Sequence, residues 1–168
     1  GRFDPERCKW FNQQHLHKTN SSLIETYLNQ LLQQKGIANT SVSTTKVVGL
    51  VQDRLTLLTD LWGEAHFFYV APVDYDEKAV GKQWKEETPG ILSDVVKIIE
   101  NAPDEEAETL SNAITSWANE NNIKLGMVMA PLRIALVGAL KGPDVFAICH
   151  VLGKENCLGR IRKAISVL

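Results

Sequence analysis

Apolar residues recur three and four positions apart along almost the whole chain, the spacing that gathers them on one face of a helix. Asp4-Pro5 reads as a cap followed by a first-turn proline, opening a helix with Trp10 and Phe11 on its apolar side. Ser22 and Glu25 have the spacing of a capping box, before a helix carrying Leu23, Ile24, Tyr27, Leu28, Leu31 and Leu32 and closed by Gly36. Val47, Val48, Leu50, Val51, Leu55 and Leu58 mark a third helix; Leu61, Trp62, Ala65, Phe68 and Tyr69 mark a fourth. The segment Val70–Val73, with Ala71-Pro72, breaks the pattern and is the expected hinge.

Beyond it, Asp74 and Glu77 suggest another capping box for a helix running to Trp84, and Thr88-Pro89 starts one packing with Ile91, Leu92, Val95, Val96, Ile98 and Ile99. Asp104 caps a helix with Ala107, Leu110, Ile114 and Trp117, and an apolar helix follows from Leu125 to Val137, bent or begun at Pro131. Gly142-Pro143 opens a short helix closed by Gly153. A last, basic helix sets Arg160, Arg162 and Lys163 on a frame of Leu158, Ile161 and Ile165. Strand-like alternation comes nearest at Ser41–Thr45 and is too short to count. The pattern predicts an all-α fold of two consecutive helical-bundle subdomains, residues 19–72 and 73–168, preceded by a connecting helix over 1–18.

One residue violates its surroundings. Arg133 stands in PLRIALVG, a stretch otherwise apolar, and burying a guanidinium is costly unless acceptors satisfy its donors. It is either half of an internal salt bridge or a reader of something that docks.

With 168 residues, 44% hydrophobic and 23% charged, the chain has the size and make-up of a globular protein. No apolar run reaches the roughly 20 residues of a membrane span, and no leader-like segment opens the chain, so a cytoplasmic, membrane-free protein is expected. Cys8, Cys149 and Cys157 form no CxxC and read as free thiols; His15 and His17 are two apart and make a poor metal pair. The net charge of −2 argues against general nucleic-acid binding. Its distribution is uneven, however: net −7 over residues 85–120 and net +5 over 121–168. Either the two segments face each other or the C-terminal end offers a basic surface to phosphates.

Catalytic motifs are missing: GxxxxGK[ST], GxSxG, HExxH and GxGxxG do not occur. Most carboxylates stand in helix first turns or the 104–108 run, where capping and solvation account for them.

Three stretches carry a resemblance. FDPERCKWFNQQHLH resembles the segment leading out of the catalytic body in bacterial glutamyl-tRNA synthetases. TKVVGLVQDRLTLLTDLWGEAHFFY is similar to their first anticodon-binding helical subdomain. KLGMVMAPLRIALVGALKGPDVFAICHVLGKENCLGRIRKAI is similar to their closing segment. The likeness spans essentially the whole chain in the family's order. It implies an all-α, class I synthetase anticodon-binding architecture that docks the anticodon loop of glutamate tRNA, joined in cis to a catalytic domain. The family's HxGH-type and KMSKS-type signatures are absent, so ATP and magnesium would belong to that missing domain, with no cofactor or metal in these residues. A monomer that binds tRNA and not DNA is the family expectation.

The resemblance also implies residue roles. Arg54, in DRLTLL, matches the arginine set against the third anticodon base. Cytosine offers acceptors at O2 and N3, whereas guanine presents N1–H and N2–H₂ donors, so a group that only donates favours the former. A structural alternative pairs Arg54 with Asp53 or Asp60. Arg133 matches the arginine facing the first two bases; Gly142, Pro143 and Val145 match the loop closing over the first. Trp117 is a candidate stacking platform or a core residue beside Ile114, and Lys141, Arg160 and Lys163 are candidate phosphate contacts. Two departures stand out. Ala130 replaces a Gln common before PLR, and Gly142-Pro143-Asp144-Val145-Phe146 replaces Ser/Thr-Pro-Gly-Leu-Phe, losing a hydroxyl and adding a carboxylate. Two other functions compete: a helical scaffold for protein partners, and a DNA-binding helix-turn-helix over 143–165, which the acidic total charge disfavours.

Overall fold

The computed structural model describes residues 20–37 and 39–168. The helix expected from Asp4-Pro5, with Cys8, Trp10, Phe11, His15 and His17, lies outside those residues. Nine α-helices and two single turns of 3-10 helix make up the described residues, with no strand among them. The chain separates after Val70 into two compact units.

In the first unit α1 is Ser21–Gln34, α2 is Thr44–Val51 and α3 is Leu61–Tyr69, with 3-10 turns at Gln52–Arg54 and Leu58–Asp60. Ile24, Leu28, Val47, Val51, Leu58, Leu61, Phe67 and Phe68 form the core where these helices meet. Burying each such side chain contributes roughly 1.5–3 kcal/mol. The capping box expected at Ser22 does not form. α1 already begins at Ser21, the Ser22 carbonyl accepts from Thr26 Oγ1 (2.9 Å), and the Glu25 carboxylate accepts from Thr45 Oγ1 (2.6 Å) at the start of α2. The third predicted helix stops at Val51, well short of Leu58. Leu55 turns extended, and Asp60 Oδ2 accepts from Thr56 N (3.3 Å) and Leu57 N (2.9 Å), so the segment coils around its own carboxylate.

The second unit runs from α4 (Glu77–Gln83) through α5 (Thr88–Asn101), α6 (Ala107–Glu120), α7 (Gly126–Val137) and α8 (Val145–Leu152) to α9 (Lys154–Val167). α7 is its axis, packed against α4, α5, α8 and α9. That explains why its sequence is apolar nearly all round. Pro131 lies inside α7 and the helix continues past it, forgoing one ladder hydrogen bond. α7 ends at Gly138, whose φ of +89° is left-handed. A Cβ there would lie 2.9 Å from Pro72 Cβ and 3.1 Å from the Asp74 carbonyl, while the Gly138 carbonyl accepts from Asp76 N (2.8 Å).

Two more expected caps shift. α4 is capped by Asp76, accepting from Lys78 N (3.0 Å) and Ala79 N (3.2 Å), and not by Asp74. Asp104 stands before the α6 N-cap, Glu106, and braces the preceding turn by accepting Glu106 N at 2.9 Å. That bond, with a second from Thr109, holds the Asp104 carboxyl below its ordinary value of 3.8. Because the folded value is the lower one, the stabilisation is complete above pH 3.8 and is lost as pH falls through the folded value. A side-chain NMR titration is expected to place the Asp104 midpoint below 3.8, with Thr109→Ala moving it part of the way back because the Glu106 N bond remains.

Cys149 in α8 and Cys157 in α9 are free and buried. Their mutual hydrogen bond, followed by burial, pushes the Cys149 thiol well above its usual range.

Candidate nucleic-acid interface

Arg54 ends the short turn after α2 and is exposed, its side chain retaining 42% of its accessible surface. Its partner is neither Asp53 nor Asp60. Nε meets Glu64 Oε2 at 3.1 Å, from the first turn of α3. Asp60 is already held by the backbone of residues 56 and 57, and the same turn carries Glu64 back to Arg54. An exposed pair of this kind contributes about 0–1 kcal/mol, so its significance is orientation more than stability. The contact uses Nε, leaving the two terminal nitrogens uncommitted to Glu64. Sequence reasoning missed Glu64 because it stands ten residues away across an irregular turn.

Arg133 is held by the main chain of the loop that follows its own helix. It is half-buried, and Nη1 donates to three backbone carbonyls: Lys141 O (3.0 Å), Gly142 O (3.2 Å) and Pro143 O (2.6 Å). An arginine of α7 thereby holds the whole 141–143 loop. Gly142 takes a φ of +101°, where a side chain would be strained. Asp144 is the N-cap of α8, its Oδ2 accepting from Ala147 N at 3.0 Å. The carboxylate that the departure introduces is therefore engaged by its own helix. Val145 is fully buried, so its side chain supports the loop from the core and presents no apolar surface. Lys141 is exposed.

The other basic residues divide. Arg160 is not available to a phosphate: it is 8% exposed, and Nη1 donates to Leu136 O (2.8 Å) in the last turn of α7. Burial pulls its pKa down to about 10, so it remains a cation at neutral pH. The spacing 157, 160, 161, 164 places it on the buried stripe of α9, a signal present in the sequence. Lys163 is exposed, with Nζ donating to Pro72 O at 3.2 Å. Arg162 pairs with Glu100 (2.9 Å), while Lys154 donates from N to Glu105 Oε1 (2.7 Å) and from Nζ to Glu100 O (3.3 Å). Part of the C-terminal basic excess thus faces the acidic segment inside the same unit. Trp117 is half-buried on α6 beside the buried Ile114 and Ala118. Among the described residues, no group of three or more histidine, cysteine or acidic side chains could hold a metal, and no helix is long and apolar enough to cross a membrane.

Two all-α units, each presenting an arginine beside an irregular turn or loop, define a helical recognition module. The chain belongs to the anticodon-binding domain family, whose model, described as "Anticodon binding domain", matches residues 22–165. It is 41% identical over 99% of its length to a glutamate–tRNA ligase of Flavobacterium johnsoniae, and 37% identical over 99% to one of Porphyromonas gingivalis. It spans about a third of the length of these relatives, 33% in each case. Among solved structures it resembles a glutamate tRNA ligase from Elizabethkingia meningosepticum, crystallised in complex with its amino acid. There the TM-score is 0.87 and the identity 36%, over all of this chain and 33% of that one. A glutamate-tRNA synthetase from Elizabethkingia anophelis matches at TM-score 0.83 and 34% identity, covering 99% of this chain and 32% of that one. The all-α expectation agrees with these structures.

Proposed function

We propose that this chain is the anticodon-reading part of a cytoplasmic glutamate–tRNA ligase, acting as a monomer and joined in cis to a catalytic part outside these residues. The observation that carries the proposal is the alignment itself: 99% of the chain matches a glutamate–tRNA ligase at 41% identity while accounting for 33% of it. ATP and magnesium would be handled by the catalytic part, in keeping with the family resemblance. The unit carrying Arg54 and the unit carrying Arg133 serve as first and second anticodon-binding subdomains, after a connecting segment over 1–18.

Arg54 meets the third anticodon base. The exposed guanidinium, held at Nε by Glu64, suits the O2 and N3 acceptors of cytosine. Arg133, Gly142 and Pro143 serve the first two bases, with Val145 fixing the start of α8 beneath them. Lys141 and Lys163 add phosphate contacts, and the half-buried face of Trp117 offers a stacking surface. No observation favours the protein-scaffold reading.

Titrating the chain at low salt with glutamate tRNA, with the same tRNA bearing G for C at the third anticodon position, and with duplex DNA of equal length tests this. Affinity is expected to fall in that order. Equal affinity for all three would overturn the proposal.

A further inference from the structure

Arg54 and Glu64 meet through one atom of each group. Nε donates to Oε2 at 3.1 Å, and the side chains keep 42% and 33% of their accessible surface. Among the described residues, Nη1 and Nη2 of Arg54 and Oε1 of Glu64 have no hydrogen-bond partner. The pair stands on a firm base. Arg54 closes the 3-10 turn of residues 52–54 and Glu64 lies in the first turn of α3, with Leu55, Leu58, Leu61 and Ala65 buried beneath them. The guanidinium is planar, so a carboxylate bound at Nε lies to one side of the Nη pair and leaves its outer edge open. Two donors and then an acceptor are therefore offered side by side. Guanine presents the same sequence of groups on its own Watson–Crick edge: N2–H, N1–H and then O6.

We propose that Glu64 is a second specificity-determining residue for the third anticodon base, reading the amino group of cytosine beside the two acceptors that Arg54 meets. The inference rests on the anticodon-reading function proposed above and deepens it. Arginine alone rejects guanine, because donors then face donors. It has nothing to offer the N4 amino group, the feature that separates cytosine from uracil at that corner of the base. The second oxygen of Glu64 supplies that acceptor, and against uracil it would face the O4 lone pairs instead. One ion pair thus divides the work: the cation excludes guanine and the anion excludes uracil. Neither the capping pattern nor the resemblance singles out Glu64; the contact across the 54–64 turn does.

The test compares the unsubstituted chain with Glu64→Ala and Glu64→Gln, each titrated with glutamate tRNA carrying C, U or G at the third anticodon position. Glu64→Ala is expected to lose about 5- to 30-fold of the preference for C over U, the worth of one charge-assisted hydrogen bond. It should still prefer C to G, because Arg54 remains. Glu64→Gln separates reading from mere aiming. Its amide oxygen can keep the bond to Nε, which places the NH₂ where the free carboxylate oxygen was, a donor that suits uracil O4 and repels the cytosine amino group. The preference for C over U should therefore fall further than in Glu64→Ala. Melting temperatures of both variants should match the unsubstituted chain, since the pair is exposed. The proposal is overturned if Glu64→Ala keeps the full preference for C over U. It is equally overturned if Glu64→Gln restores that preference, for then the carboxylate only orients the arginine. Failure of the underlying function looks different: the unsubstituted chain would not distinguish C from G at the third base.

Discussion

Replacing Arg54 with alanine is expected to close most of the gap between tRNAs carrying C and G at the third anticodon position. Guanine brings two donors to a site whose fixed group also only donates. An unmatched donor of that kind costs about 1–3 kcal/mol, which is about 5- to 150-fold in affinity. The gap should shrink chiefly because G-containing tRNA binds better, not because C-containing tRNA binds worse. Glu64 sharpens the result. Its carboxylate lies 3.1 Å from Arg54 Nε, and without the arginine it offers acceptors that suit guanine. Arg54→Ala is therefore expected to lean toward G, and Arg54→Ala with Glu64→Ala to be nearly indifferent. Melting temperatures should barely change, since the pair is exposed. A lower melting temperature with unaltered discrimination would reduce Arg54 to a structural residue.

The largest stability effect is expected at Gly138. Gly138→Ala combines a left-handed φ of +89° with a Cβ placed 2.9 Å from Pro72 and 3.1 Å from the Asp74 carbonyl. Strain and overpacking together should cost about 2 to 5 kcal/mol. In thermal unfolding that is a fall of about 10 °C or more for a unit of this size. The Asp76 N to Gly138 O bond (2.8 Å) would move with it, loosening the entry to α4. An unchanged melting temperature would mean that the 72–74 segment yields freely.

Among the described residues helix content was legible in the sequence because burial follows the three-and-four spacing, although the third predicted helix ends at Val51 and not at Leu58. Caps were not. Ser22/Glu25 and Asp74/Glu77 have the spacing of a capping box, yet Glu25 answers to hydroxyls of α2 and Asp76 captures the start of α4. Three polar residues near a helix start compete for the same few N–H groups, and tertiary contacts choose among them. Arg133 was conspicuous, but the partners of its Nη1 are main-chain carbonyls, which every residue possesses and no motif encodes. Arg160 was the reverse case: its place on the stripe of Cys157, Ile161 and Ala164 marked it as buried, and its charge distracted from that. The resemblance singled out Arg54, Arg133 and the 142–145 loop as candidates; how the loop is held shows only in the folded chain.

The paired thiols of α8 and α9 have a use unrelated to RNA. Cys149 and Cys157 are sealed from solvent, and Cys149 is disinclined to ionise, so an alkylating reagent can reach them only when this helical pair parts. The rate at which the two peptides acquire label, followed by mass spectrometry, therefore counts openings of one corner of the second unit. That corner adjoins Asp144, so occupancy of the loop by RNA should register as slower alkylation five to thirteen residues away.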